Sequence, residues 1–189
     1  EDLPLLIPRQ KPKANDGDEI PDSKEVPRLP KFTHLDKIIF PEISATKSDL
    51  IGFYEAISPD LLIFLKDRPV TVERWPDGVT GPNASHFWQK NTPHYYPSWI
   101  HRVTLPSAGG RPVNYVLIDR IETLLYLVNQ GVLTFHVGFS RLPNLDHPGF
   151  VLFDLDPSEA SFNDVIAVAQ NLNLLLQTKG LQSVIKTSG

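Results

Sequence analysis

The chain has 189 residues, 41% of them hydrophobic, with a formal net charge of −4 and neither cysteine nor methionine. That length suits one globular domain plus a tail, and the charge counts against a large basic surface while leaving room for a local basic groove. Lack of cysteine excludes disulfides and thiolate zinc sites and fits a reducing cytosol, and no apolar run reaches the roughly 18 residues of a membrane-spanning helix.

Residues 1–30 are rich in Pro, Lys, Asp and Glu and are expected to form a linker or extended tail; their hydrophobic cluster is Leu3-Pro4-Leu5-Leu6-Ile7. Residues 31–189 are expected to form the domain. Lys37 to Pro41 is a short apolar stretch closed by proline. Thr46 then precedes helical spacing at Leu50, Phe53, Tyr54 and Ile57. Pro59 is expected to break this helix or to start a second piece through Leu61 to Leu65. Val70 to Trp75 alternates as a strand, and Pro76-Asp77-Gly78 reads as a turn. Asn114 to Ile118 reads as a strand. Asp119 and Glu122 have the spacing of a capping box for a helix that buries Leu124, Leu125, Leu127 and Val128 and closes at Gly131. Leu133 to Val137 and Phe150 to Phe153 read as strands. Ser161 and Asp164 open a helix with Val165, Ile166, Val168, Ala169, Leu172 and Leu176 apolar, running to Gly180, and Ser183 to Thr187 starts one more strand. The pattern is α+β.

The most informative chemistry is Phe153-Asp154-Leu155-Asp156-Pro157. On a strand, residues two apart share a face, so Asp154 and Asp156 stand side by side. Two adjacent carboxylates are costly without a cation, and oxygen donors suit Mg²⁺ or Mn²⁺. The plain alternative is a solvated strand end before a turn, which Asp-Pro favours. His136 lies within a strand, pointing away from Phe135 and Val137 and sharing a face with Thr134. A lone strand histidine is ordinarily a hydrogen-bonded core residue.

An ordered set of motifs runs through the chain. Thr33-His34-Leu35-Asp36-Lys37 is followed by Thr46-Lys47-Ser48-Asp49, Arg68-Pro69 and Arg74-Trp75-Pro76-Asp77-Gly78. His86-Phe87-Trp88-Gln89-Lys90-Asn91, Asn114-Tyr115 and Phe135-His136-Val137 come next, then the Asp-Leu-Asp segment and Lys186-Thr187-Ser188-Gly189. Together they resemble the polymerase domain of bacterial ligase D-type end-joining proteins, a branch of the archaeo-eukaryotic primase superfamily. The resemblance implies an α+β primase-like polymerase fold of mixed sheets with flanking helices. It implies a nucleotidyl transferase that extends or fills DNA 3′ ends at double-strand breaks with NTP or dNTP, using two Mn²⁺ or Mg²⁺ ions. Asp154 and Asp156 would be the catalytic metal ligands. The family's third aspartate is expected beyond Gly189, so the domain is expected to be incomplete at its C-terminal end. A first position without methionine fits a piece of a longer protein.

By the same resemblance, His136, Ser188 and Gly189 would bind the triphosphate. Lys37 and Lys47 would hold a DNA 5′-phosphate, Phe87 and Trp88 would stack on template bases, and Arg74 and Lys90 would contact the DNA backbone or the nucleotide. Glu73 stands where the family often has a second basic residue. The implied partners are 5′-phosphorylated DNA ends, a Ku-type end-binding protein and a ligase module, in the bacterial cytoplasm beside the nucleoid, with no membrane. Two alternatives remain beside this one. The first is a non-catalytic module binding DNA ends through the 5′-phosphate. The second is a metal-dependent phosphatase with an Asp-x-Asp nucleophile, a class built on a doubly wound parallel sheet.

Overall fold

The computed structural model describes residues 29–107 and 109–187. The Leu3 to Ile7 cluster, nearly all of the expected linker, Ser188 and Gly189 therefore lie outside the described residues. The chain divides into two compact units, residues 1–138 and 139–189, each with its own architecture.

The first unit is organised by strand β3 (Pro69–Arg74), which follows a small hairpin of β1 (Ile38–Phe40) and β2 (Ala45–Thr46) and helix α1 (Lys47–Leu65). After it come β4 (Phe87–Gln89), β5 (Arg102–Leu105), β6 (Val113–Leu117), α2 (Ile121–Asn129) and β7 (Val132–Val137). Strand β7 pairs along β3 from Val70 to Arg74. The opposite edge of β3 is shared between β6, at Pro69 and Val70, and β4, at Val72 to Arg74. Strand β5 extends the sheet from β6. Every ladder among the described residues is antiparallel, which removes the parallel sheet that the phosphatase alternative requires.

Alternation decides which face of the sheet is buried. Val70 and Val72 are fully buried and pair with Val137 and Phe135. Helices α1 and α2 pack on each other and close this face. Tyr54 on α1 donates its hydroxyl to the Leu133 carbonyl, and its ring meets Phe135 edge-on at 5.5 Å. Leu124, Leu125, Leu127 and Val128 are fully buried, as the helical spacing predicts. Each such side chain contributes about 1.5–3 kcal/mol through removal from water.

Helix α1 corrects the expectation at Pro59: the helix runs unbroken across it. Proline removes the N–H that would bond the carbonyl four residues back. That carbonyl, of Glu55, instead accepts from the Ser58 hydroxyl at 2.8 Å, so no buried acceptor is left over. Thr46 and Asp49 form a reciprocal capping box at the start of the helix. The capping box expected at Asp119 does not form. Arg120 is the N-cap residue and makes no side-chain cap, while the Asp119 carboxylate is taken by His101 and Arg120.

Gly78 is required by both backbone and space. Its φ is +79°, and a Cβ there would sit 2.7 Å from the Ile39 carbonyl oxygen. The turn it makes presents Asp77 to Lys37, and Val79 N–H bonds to Ile39. Gly78→Ala should lower stability by about 1–3 kcal/mol, seen as a lower urea midpoint with an unchanged slope.

The second unit contains helix α3 (Phe162–Thr178). Ser161 and Asp164 cap it reciprocally, as their spacing predicts. At its end Gly180 has a φ of +70°, Gly180 N–H bonds to Gln177 and Leu181 N–H bonds to Leu176, a Schellman closure. Val165, Ala169, Leu172 and Leu176 form its half-buried stripe. The strands expected at Phe150 to Phe153 and Ser183 to Thr187 are absent; both segments are exposed and without a ladder among the described residues. Apolar β-branched and aromatic composition marks a segment as suited to a sheet, but a strand forms only where a partner supplies the hydrogen bonds.

Candidate nucleotide and DNA site

The outward face of the β4-β3-β7 sheet carries the densest group of candidate residues. Because Val70 and Val72 point into the core, Thr71 and Glu73 point the other way. Across the ladders Thr71 faces His136, and Glu73 faces Thr134 on one side and Trp88 on the other. The sequence thus places an imidazole, a hydroxyl, a carboxylate and an indole in one row. The Trp88 and His136 rings lie 4.4 Å apart. Thr134 donates its hydroxyl to Glu73 at 2.7 Å, and His136 Nε2 lies 3.1 Å from the same hydroxyl oxygen. The other Glu73 oxygen is 2.7 Å from His86 Nδ1, and His86 stacks on Trp75 at 4.3 Å. The Thr134 hydroxyl holds the Glu73 carboxyl below its usual range, with His86 and Trp75 adding to the effect.

Phe87 and Trp88 are 44% and 54% exposed, but as neighbours on a strand they face opposite sides of the sheet. They cannot form one continuous stacking platform. Phe87 shares its side with Arg74, whose guanidinium lies 5.3 Å from the Phe87 ring centre. Arg74 is held by the Gln130 carbonyl at 3.0 and 2.8 Å and by Gln89 Oε1 at 2.9 Å. It therefore supports the C-terminal end of α2 and backs the Phe87 ring. Lys90 is exposed just beyond β4.

The two candidate phosphate-binding lysines are unlike each other. Lys37 Nζ donates to the Pro76 carbonyl at 2.6 Å and to Asp77 at 3.1 Å, in a pair open to solvent. Such a pair is weak and readily exchanged for a phosphate. Lys47 is only 7% exposed. Its ammonium donates to Thr33 O at 2.9 Å, Asn129 O at 2.9 Å and Asn129 Oδ1 at 3.4 Å. Burial lowers its pKa, and the charge of Lys37 lowers it further. Lys47 ties the segment before β1 to the end of α2.

Asp154 and Asp156 lie in the second unit, exposed on a segment outside any helix or strand, with Leu155 half-buried between them. The pair offers oxygen donors of the kind a hard divalent cation takes. Among the described residues no group of three acidic or imidazole side chains converges to enclose one. Residue chemistry thus fits such an ion in kind, while the donor set visible here is partial.

Sequence reasoning passed over Thr134 and His86 as site residues and treated Glu73 only as a departure. The signal was present: alternation puts Glu73 on the face of Thr71, and Thr134 on that of His136. Asn129, which receives Lys47, carried no signal, because the contact spans 82 residues of sequence.

Residues 46–189 match the family described as LigD, primase-polymerase domain. The bifunctional non-homologous end joining protein LigD of Bacillus subtilis is 38% identical over 168 residues, covering 88% of this chain and 26% of that protein. The multifunctional non-homologous end joining DNA repair protein LigD of Mycobacterium tuberculosis is 32% identical over 169 residues, covering 84% of this chain and 22% of that protein. The chain thus spans about a quarter of the length of these relatives. Among solved structures, the polymerase domain of Mycobacterium tuberculosis ligase D in complex with DNA superimposes with a TM-score of 0.68 at 28% identity, over 84% of this chain and 57% of that one. The ordered motifs, the α+β architecture and these similarities agree, and the chain belongs to the LigD primase-polymerase domain family.

Proposed function

We propose that this chain is the primase-polymerase part of a DNA end-joining repair protein, adding nucleotides to 3′ ends at double-strand breaks. The observation that carries this is the likeness in fold and sequence to a ligase D polymerase domain solved with DNA. Asp154 and Asp156 would hold Mn²⁺ or Mg²⁺, which would stabilise charge on the attacking and leaving oxygens. His136 on the open sheet face would meet the triphosphate, with Ser188 and Gly189 as further contacts to it. Trp88 and Phe87 would each stack on a base, on opposite sides of β4. Arg74 and Lys90 would serve the DNA side, Arg74 by backing Phe87. Lys37 would contact the 5′-phosphate across a gap, and Lys47 would hold the wall behind it. Whole-protein partners would be a Ku-type end-binding protein and a ligase module in the bacterial cytoplasm. No helix among the described residues is long and apolar enough to cross a membrane.

The solvent-open Lys37–Asp77 pair, exchangeable for a phosphate, favours one second reading, a non-catalytic module that binds 5′-phosphorylated ends. Gapped DNA with a 5′-phosphate, NTP and Mn²⁺, given to the full native protein, separates the two. A product longer by one nucleotide supports the polymerase; tight end binding with no product supports the module. Lys37→Ala should weaken binding of the 5′-phosphorylated gap by about 3–10-fold in fluorescence anisotropy. Addition to a primer without that phosphate should stay at the native rate.

A further inference from the structure

We propose that Thr134, pinned by Glu73, is a positioning residue that fixes which ring nitrogen of His136 faces a nucleotide phosphate. The inference rests on the placement of His136 in the nucleotide site. It starts from proton counting. A threonine hydroxyl has one proton to give, and an ionised carboxylate only accepts. At 2.7 Å from Glu73, the Thr134 proton is committed to the carboxylate. The Thr134 oxygen can then only accept from His136 Nε2 at 3.1 Å, so Nε2 carries a proton. Nδ1 is left as the nitrogen not engaged by Thr134. Because a phosphate oxygen only accepts, contact through Nδ1 takes the doubly protonated ring.

Glu73 can impose this because it is itself held. His86 engages its second oxygen and is stacked on Trp75. The ladder register keeps Glu73 opposite Thr134 and Thr71 opposite His136. Trp88 lies against the imidazole from β4, across β3, and restricts its rotation. A glutamate at this position thus has a role that a cation cannot fill. A positive group there would donate to Thr134, free its hydroxyl proton for His136 and reverse the tautomer.

The test uses ¹⁵N-labelled histidine in the native protein, with Thr134→Val, Thr134→Ser and Glu73→Ala. In the native chain and in Thr134→Ser, neutral His136 should show only the Nε2–H form, with a hydrogen-bonded, slowly exchanging proton. In Thr134→Val and Glu73→Ala, the Nδ1–H form should become populated and the Nε2 proton should exchange quickly. The same two variants should raise the nucleotide KM about 5–10-fold, with Thr134→Ser restoring it and 5′-phosphate binding unchanged. A native Nδ1–H population, or one imidazole spectrum across all four proteins, overturns the relay. His136→Ala separates this failure from failure of the site assignment. If it leaves KM unchanged, the nucleotide reading falls and the phosphate half of the proposal with it, whatever the spectra show.

Discussion

Asp154→Ala and Asp156→Ala should each cut nucleotide addition by about 10³-fold or more, while the protein stays as stable as before. The two halves of this expectation have separate causes. Metal stabilisation of transition-state charge is worth several kcal/mol, and about 4 kcal/mol corresponds to roughly 10³ in rate. Stability is spared because both carboxylates are exposed on a segment outside any helix or ladder among the described residues. Surface changes of this kind usually shift stability by no more than about 0.5 kcal/mol. The asparagine variants keep side-chain size and lose only the charge, so they should be as inactive as the alanine variants. Single-nucleotide extension in the full native chain gives the rate, and thermal unfolding gives the control. Addition at near-native rate by either variant would remove the Asp-Leu-Asp segment from the catalytic site. Loss of activity together with a large fall in melting temperature would make the effect structural instead.

The residues that sequence read well are those whose cause is local. The helix starts read after Thr46 and at Ser161 with Asp164 depend on nearby groups, and both helices begin there, each with a reciprocal capping box. The buried face of α2 follows from helical spacing alone. Alternation gave β3 and β7, and with them the outward face of His136. Strands β4 and β5 escaped because β4 is three residues long and β5 was hidden before a loop, although Val103 and Leu105 do alternate with Arg102 and Thr104. The capping reading at Asp119 failed through a competitor 18 residues away, since His101 takes the carboxylate that spacing assigned to the helix end. Phe150 to Phe153 failed differently: composition reports suitability for a sheet and says nothing about a partner. Of the site itself, identities came from an ordered motif set and roles from geometry. The motif set treats Lys37 and Lys47 alike, and only their surroundings divide them.

Lys47→Ala should destabilise the first unit by about 2–4 kcal/mol, a fall of roughly 4–16 °C in melting temperature for a chain of this size. Removing the ammonium takes the donor from Thr33 O and Asn129 O at a site where Lys47 is 7% exposed, while Asn129 Oδ1 keeps the Thr33 N–H at 3.1 Å. An unpaired buried acceptor carries its full desolvation cost, which is why the loss exceeds that of a surface lysine. Lys47→Met keeps the stem and isolates the charge, so it should recover part of the stability and none of the hydrogen bonds. The pH dependence gives an independent check. The folded-state pKa of Lys47 lies below the ordinary 10.5, so between the two values the unfolded chain binds more protons than the folded one. Native stability should therefore rise with pH through that window, and Lys47→Met should remove this contribution from urea midpoints. A lysine serving only as a phosphate contact would behave in the opposite way, leaving melting temperature and pH slope untouched and weakening only 5′-phosphate binding. The structure instead makes Lys47 the latch for the segment that leads through Thr33 to Lys37. Its loss should weaken 5′-phosphate binding as a consequence of that segment's release, in step with the loss of stability.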